Sequence, residues 1–270
     1  MAEQDFIILP GGLHIWGSSS WLSGVPQDII EEPRPEYSFY TMDNPEWRKL
    51  STDTMMIIGD VPDEALKTLA VTAEKLEEML KSEIGGPVRR EIYTIRIFKD
   101  KGQFCAYARR CGSGSAYSLY DPNKGEIGLH FSYETDAADF EQTFAHEFVH
   151  AYMHRVYGVM NPIWFAEGMA EYFSHLEWTK KGFKPTGNNW KAAMHGQEIV
   201  EIPLMEVLKA TRDDLYGIKF PQYYASSWAI VSFLLKKYPK FVEAILLKDI
   251  VDLSPFQDEY RQFLKRKLGV

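Results

Sequence analysis

Between Phe140 and Tyr157 the chain sets phenylalanine and histidine in two rows of period four: Phe140, Phe144 and Phe148 in one, His146, His150 and His154 in the other. A spacing of four returns to one side of an α-helix, and at about 100° per residue the rows lie about 200° apart. The stretch therefore reads as a helix that sends its aromatic row into a core and leaves its histidines for something else. Glu147 follows the first histidine, so His146-Glu147-Phe148-Val149-His150 has the form H-E-x-x-H. Imidazoles at i and i+4 can hold one Zn²⁺ at about 2.0–2.1 Å, with the glutamate placed to deprotonate a zinc-activated water. His154 lies about 12 Å along the axis from His146, too far to share an ion. It reads instead as a residue at the helix C-terminus interacting with the dipole.

The remaining composition bounds the answer without deciding it. At 270 residues with 45% apolar side chains, one large domain or two intimately packed lobes can bury a real core. No apolar run approaches the roughly 20 residues that cross a bilayer, so no transmembrane segment is expected. The start MAEQDFIILPGG offers only Phe6 to Leu9 as an apolar run, too short for a signal-peptide core. The expectation is a soluble protein, either cytoplasmic or the mature form of an exported one. Cys105 and Cys111 are close enough to pair or to stay free, and the sequence leaves both open. A formal charge of -8 argues against a nucleic-acid partner. The basic run Arg261 to Lys267 reads as the solvated face of a last helix.

Residues 1–45 differ from the rest, with short strand-like runs (FIIL, LHIW) and a proline-rich acidic connection. They read as an N-terminal extension. From Trp47 onward come strands near Thr54 to Val61 and Ile92 to Phe98, and a helix opening at Asp63. A short helix near Gln103 to Arg110 and a hairpin of SAYSLY and EIGLHF about DPNKG follow. The histidine helix stops at Gly158. Further helices are expected at WFAEGMAEYFSHLEW, IPLMEVLKA and YASSWAIVSFLLKKY. Strands first and helices after give an α+β class.

A catalytic zinc wants a third protein ligand. A metzincin-type histidine would need Gly at 153 and His at 156, where the chain has Met153 and Val156. The segment Trp164-Phe165-Ala166-Glu167-Gly168-Met169-Ala170-Glu171-Tyr172 instead resembles the gluzincins of the peptidase MA-like clan. It is similar to the W-L-x-E-G-x-A-x-Y segment of the leukotriene A4 hydrolase and aminopeptidase group and of many uncharacterised bacterial peptidase-like domains. Tyr224 to Val231 (YASSWAIV) resembles a second segment of those domains, as do WRKLSTDTMMII, IFKDKGQFCAY and LYDPNKGEIGL.

The resemblance implies a thermolysin-like zincin catalytic domain over 46–270. A sheet-containing lobe (46–157) would carry a mixed sheet with an edge strand beside the active-site helix, followed by a mainly helical lobe (158–270). It implies one catalytic Zn²⁺ on His146, His150 and Glu167, with Glu147 as general base. Glu171 would orient a ligand histidine, and Gly168 would allow close helix approach. Tyr224 would donate to the oxyanion, with Tyr223 the neighbouring alternative.

Two features depart from the pattern. Sixteen residues separate His150 from Glu167, slightly fewer than is usual in the aminopeptidases, and no G-x-M-E-N segment precedes the motif. An endopeptidase acting on peptide or protein is therefore expected rather than an aminopeptidase. EIGLHF takes the place of the edge strand, with Gly128 marking either close backbone approach or a bulge. A catalytically silent zincin-fold binding module, or a zinc hydrolase acting on a non-protein amide, remains the alternative.

Overall fold

Alternation along the strands builds the sheet, because successive side chains leave opposite faces. The computed structural model describes residues 7–9, 13–15, 47–86, 92–108, 118–131, 137–158, 161–179, 182–185, 190, 202–249 and 251–267. The first two strands, β1 (Ile7–Leu9) and β2 (Leu13–Ile15), pair antiparallel with each other.

The main sheet has five strands: β3 (Arg48–Ser51), β4 (Met55–Gly59), β5 (Tyr93–Phe98), β6 (Ser118–Asp121) and β7 (Glu126–His130). Their order is β3-β4-β5-β7-β6. β4, β5 and β7 run parallel, while β3 and β6 run antiparallel to their neighbours. The fold is thus α+β around a mixed sheet, as the order of elements in the sequence predicts.

One face of the sheet presents Met55, Ile57, Tyr93, Ile95, Ile97, Ile127 and Leu129 to the main core. Against it pack α1 (Asp63–Ile84), through Leu66, Leu69, Leu76 and Leu80, and α3 (Ala137–Tyr157), through Phe144, Phe148 and Val149. The aromatic row of α3 is buried as its spacing requires: Phe144 and Phe148 are fully buried, and Phe140 meets Phe131 edge-on. Two tyrosines of α3 hold the end of α1, the Tyr152 and Tyr157 hydroxyls donating to the carbonyls of Gly85 and Ile84 at 2.7 and 2.6 Å. Unsatisfied carbonyls at a helix C-terminus are thereby paired.

The other face is covered by α2 (Lys101–Ala108), where Phe104 joins Trp47 and Phe98. Arg96 and Glu126 lie between them, buried, and form a two-toothed ion pair at 3.0 Å for both contacts. Tyr107 donates to Glu126 at 3.1 Å, and its ring covers Gly128, where a Cβ would come within 2.5 Å of the ring. Register is regular through Gly128, paired with Arg96 on one side and Leu119 on the other. The glycine therefore serves close approach of a tyrosine ring rather than a bulge. Cys105, buried on α2, is disulfide-bonded.

Two expectations change. EIGLHF is not the edge strand: β7 is paired on both sides, and the edge beside α3 is β6, its hairpin partner. Alternation reveals which face a residue takes but not which strand is outermost, so both halves of the hairpin were eligible. The helix beginning near Trp164 is also shorter than its sequence suggests. α4 (Ile163–Ser174) ends before Leu176–Thr179, which is strand β8, paired antiparallel with β9 (Gly182–Pro185). Among the described residues the remaining helices are α5 (Leu204–Val207), α6 (Arg212–Leu215), α7 (Phe220–Lys237), α8 (Pro239–Leu246) and, after a 3₁₀ turn, α9 (Gln257–Lys267). Phe263 and Leu264 of α9 are buried while Lys265 and Arg266 are exposed, the solvated basic face expected there. No described helix is long and apolar enough to cross a membrane.

Candidate metal centre

α3 and α4 bring three side chains to one point. His146 and His150, one turn apart on α3, face each other with their Nε2 atoms 3.2 Å apart. Glu167 of α4 places Oε2 at 3.3 Å from His146 Nε2 and 3.4 Å from His150 Nε2. Such a triangle has a chemical meaning. A tetrahedral ion with bonds of about 2.0–2.1 Å spaces its ligand atoms about 3.3 Å apart. Glu167 Oε2 is buried and accepts no hydrogen bond among the described residues. A buried carboxylate oxygen facing two imidazole nitrogens with no hydrogen bond is a costly arrangement unless a cation sits among them, so the donor set fits zinc. These residues form the cluster able to hold a metal ion among the described residues.

Each donor is held from behind. Glu171, one turn along α4 from Glu167, meets His146 Nδ1 at 3.0 Å. A hydrogen on Nδ1 leaves the Nε2 lone pair directed at the centre. Glu171 accepts in turn from the indole of Trp190 at 2.9 Å, and Trp190 is almost wholly buried. Glu167 accepts on its other oxygen, Oε1, from the Tyr216 hydroxyl at 2.5 Å. Burial alone would lower the His146 pKa and raise that of Glu167. The close carboxylates of Glu167 and Glu171 outweigh it at His146, pushing the imidazole well above its ordinary value. The two histidines likewise hold Glu167 well below the usual carboxylate range.

Glu147 supplies no atom to the triangle and meets the sheet edge, where Ser118 of β6 donates to its Oε1 at 2.7 Å. Two residues along the same face of β6, the Tyr120 hydroxyl lies 2.7 Å from His154 Nδ1. His154 is thus outside the metal cluster, as its distance along the helix requires, and its partner is the edge strand.

α7 packs across α4 and completes the centre. Gly168 is the point of contact: a Cβ there would lie 2.5 Å from the Ser227 carbonyl oxygen and 2.8 Å from Val231 Cγ2. The close approach foreseen at Gly168 is therefore toward α7. Gly168→Ala is expected to destabilise the fold by about 1–3 kcal/mol, since the clash is with backbone that cannot rotate away. Urea unfolding of the metal-free protein would read it, and an unchanged midpoint would show that the helices can separate at no cost.

This contact brings Tyr224 over the site, its ring parallel to that of His146 (6°) with centroids 6.3 Å apart. Burial first, then Glu167 and Tyr216, push the Tyr224 phenol well above its ordinary value, so it remains a hydrogen-bond donor at neutral pH. Tyr223 points elsewhere, to Glu206. The sequence reading missed Trp190 and Tyr216, neither of which belongs to a periodic pattern shared with the histidines.

The family model for peptidase M9, described as collagenase, matches residues 86–269, more than half of the chain. No curated protein matches the chain.

Proposed function

The chain belongs to the collagenase family of zinc metallopeptidases, and from that premise we propose a gluzincin-type endopeptidase with a thermolysin-like catalytic domain. The proposed domain runs over residues 46–270, with 1–45 as an extension. The observation that carries the proposal is the triangle of donor atoms at 3.2, 3.3 and 3.4 Å. His146, His150 and Glu167 would hold the zinc. When bound, zinc supplies a Lewis acid that polarises the amide carbonyl and acidifies water.

The chain's own residues do the rest. Glu147 lies outside the ligand triangle but on the same helix, free to take a proton from the attacking water and return it to the leaving amine. The bond from Ser118 orients this carboxylate. Tyr224, stacked on a ligand imidazole and kept protonated, is placed to donate to the oxyanion. Glu171 fixes the His146 tautomer. The substrate is a peptide or protein, and the side of β6 that carries no partner strand among the described residues offers its main chain a strand to join. The disulfide at Cys105 supports an oxidising compartment.

The test is zinc content by elemental analysis of wild type, Glu167→Gln and Glu171→Gln, each also incubated with casein and a peptide library. Wild type should carry zinc and cleave; Glu167→Gln should lose both; Glu171→Gln should keep the metal. Wild type that binds none when offered zinc would sink the proposal. Zinc with tight peptide binding but no cleavage would turn it toward a silent binding module.

A further inference from the structure

Glu167 uses its two oxygens differently. Oε2 faces both imidazoles, while Oε1 accepts the Tyr216 hydroxyl at 2.5 Å. We propose that Tyr216 is a positioning residue for the metal, which fixes Glu167 as a one-oxygen ligand by occupying Oε1. The inference rests on the zinc reading above and goes beyond it in naming what sets the coordination.

Three observations carry it. A carboxylate within reach of a divalent ion can offer one oxygen or two, and the choice follows from what the second oxygen meets. Here it meets a phenol at the short distance of a charge-assisted bond, the stronger kind. Second, Tyr216 is itself held. It follows α6, whose start is fixed by a reciprocal capping box between Thr211 and Asp214, and its own N–H bonds to the Arg212 carbonyl. The Arg212 guanidinium lies 5.1 Å from its ring centroid. Third, the residue is 45% exposed, yet its hydroxyl reaches a carboxylate that is 4% exposed. An aromatic ring so open to water would gain little by lying there for packing alone.

Tyr216 and Tyr224 divide the work. Tyr224 covers a ligand imidazole and serves the reacting carbonyl. Tyr216 acts through Glu167. A fixed single-oxygen ligand would keep a bound ion open to water and substrate, whereas a second oxygen would take up that space.

The experiment compares metal-free wild type and Tyr216→Phe, with zinc affinity read by competition against a chromophoric chelator and geometry by the visible absorption of the cobalt-substituted proteins. Phenylalanine keeps the ring and its contact with Arg212, so both metal-free proteins should fold and unfold in one transition, the variant melting somewhat lower for the bond its hydroxyl gave a buried carboxylate. Zinc affinity should fall about 10–100-fold. The cobalt bands should weaken as the freed oxygen joins the metal and raises its coordination number. Glu167→Gln should keep only weak cobalt binding through its two histidines, and adding Tyr216→Phe there should change that residual affinity less than about twofold, because coupling between contacting residues disappears with either partner.

Equal zinc affinities with superimposable cobalt spectra would overturn the role of Tyr216 while leaving the zinc site intact. A full loss repeated in the Glu167→Gln background would overturn it as well, since the effect would then not pass through the ligand. Wild type that takes up neither metal would overturn the zinc reading itself.

Discussion

Glu147→Gln is expected to bind zinc in the same proportion as wild type and to lose a factor of about 10²–10⁴ in kcat, the range for removal of a general base. The separation of the two effects follows from geometry. Glu147 contributes no atom to the triangle of His146, His150 and Glu167. Its carboxylate turns to the sheet edge and accepts from Ser118 at 2.7 Å. Glutamine keeps the length and can still accept from Ser118, so neither helix nor edge strand need shift; what disappears is basicity. Measured side by side, zinc content and kcat on a peptide cut by wild type decide the matter. A variant that keeps both metal and turnover would mean that another group moves the proton. A variant that loses the metal would mean that Glu147 supports the site structurally.

The second large effect lies on the far face of the sheet. Glu126→Ala takes the opposing carboxylate away from a buried guanidinium that meets it twice at 3.0 Å. Desolvation of Arg96 remains while its main compensation goes, and breaking a buried pair in this way costs about 3–5 kcal/mol. The same substitution frees the Tyr107 hydroxyl, bonded to Glu126 at 3.1 Å, above Gly128. Replacing both partners, as Arg96→Met with Glu126→Met, is expected to restore much of the loss, because the pair and not the polarity of the face is what matters. Urea unfolding gives both numbers, and a single substitution costing under about 1 kcal/mol would show that water reaches the guanidinium. Since β7 pairs with the edge strand β6, a partly unfolded Glu126 variant would also lose the hold of Ser118 on the base.

Helical period made the two rows of α3 legible in the sequence, through spacings of four residues, whereas Glu167, Gly168 and Glu171 on α4 were read through the resemblance of their segment to the gluzincins. Local order says nothing of what arrives from afar. Tyr216 reaches Glu167 across 49 residues of chain, and Trp190 reaches Glu171 across 19. Neither carries a pattern of its own. The hairpin at residues 118–130 was legible as a hairpin because of its turn, but its outer member was not, since strand order is decided by β5 docking against β7. Leu176–Thr179 read as a continuation of the helix because it extends an apolar run; pairing with β9 draws it into a strand instead.

The contact at Gly168 acts as a datum from which the site is measured. It sits one residue from Glu167 on α4 and, on the α7 side, at Ser227, one turn from Tyr224. The proposed ligand and the proposed oxyanion donor are thus referenced to one shared point by short, stiff arms. The gap between carboxylate and phenol is set where a glycine meets a backbone carbonyl, while the excursion between Ser174 and Phe220 sends Trp190 to Glu171 and Tyr216 to Glu167, so its length can change only where those two side chains keep their places.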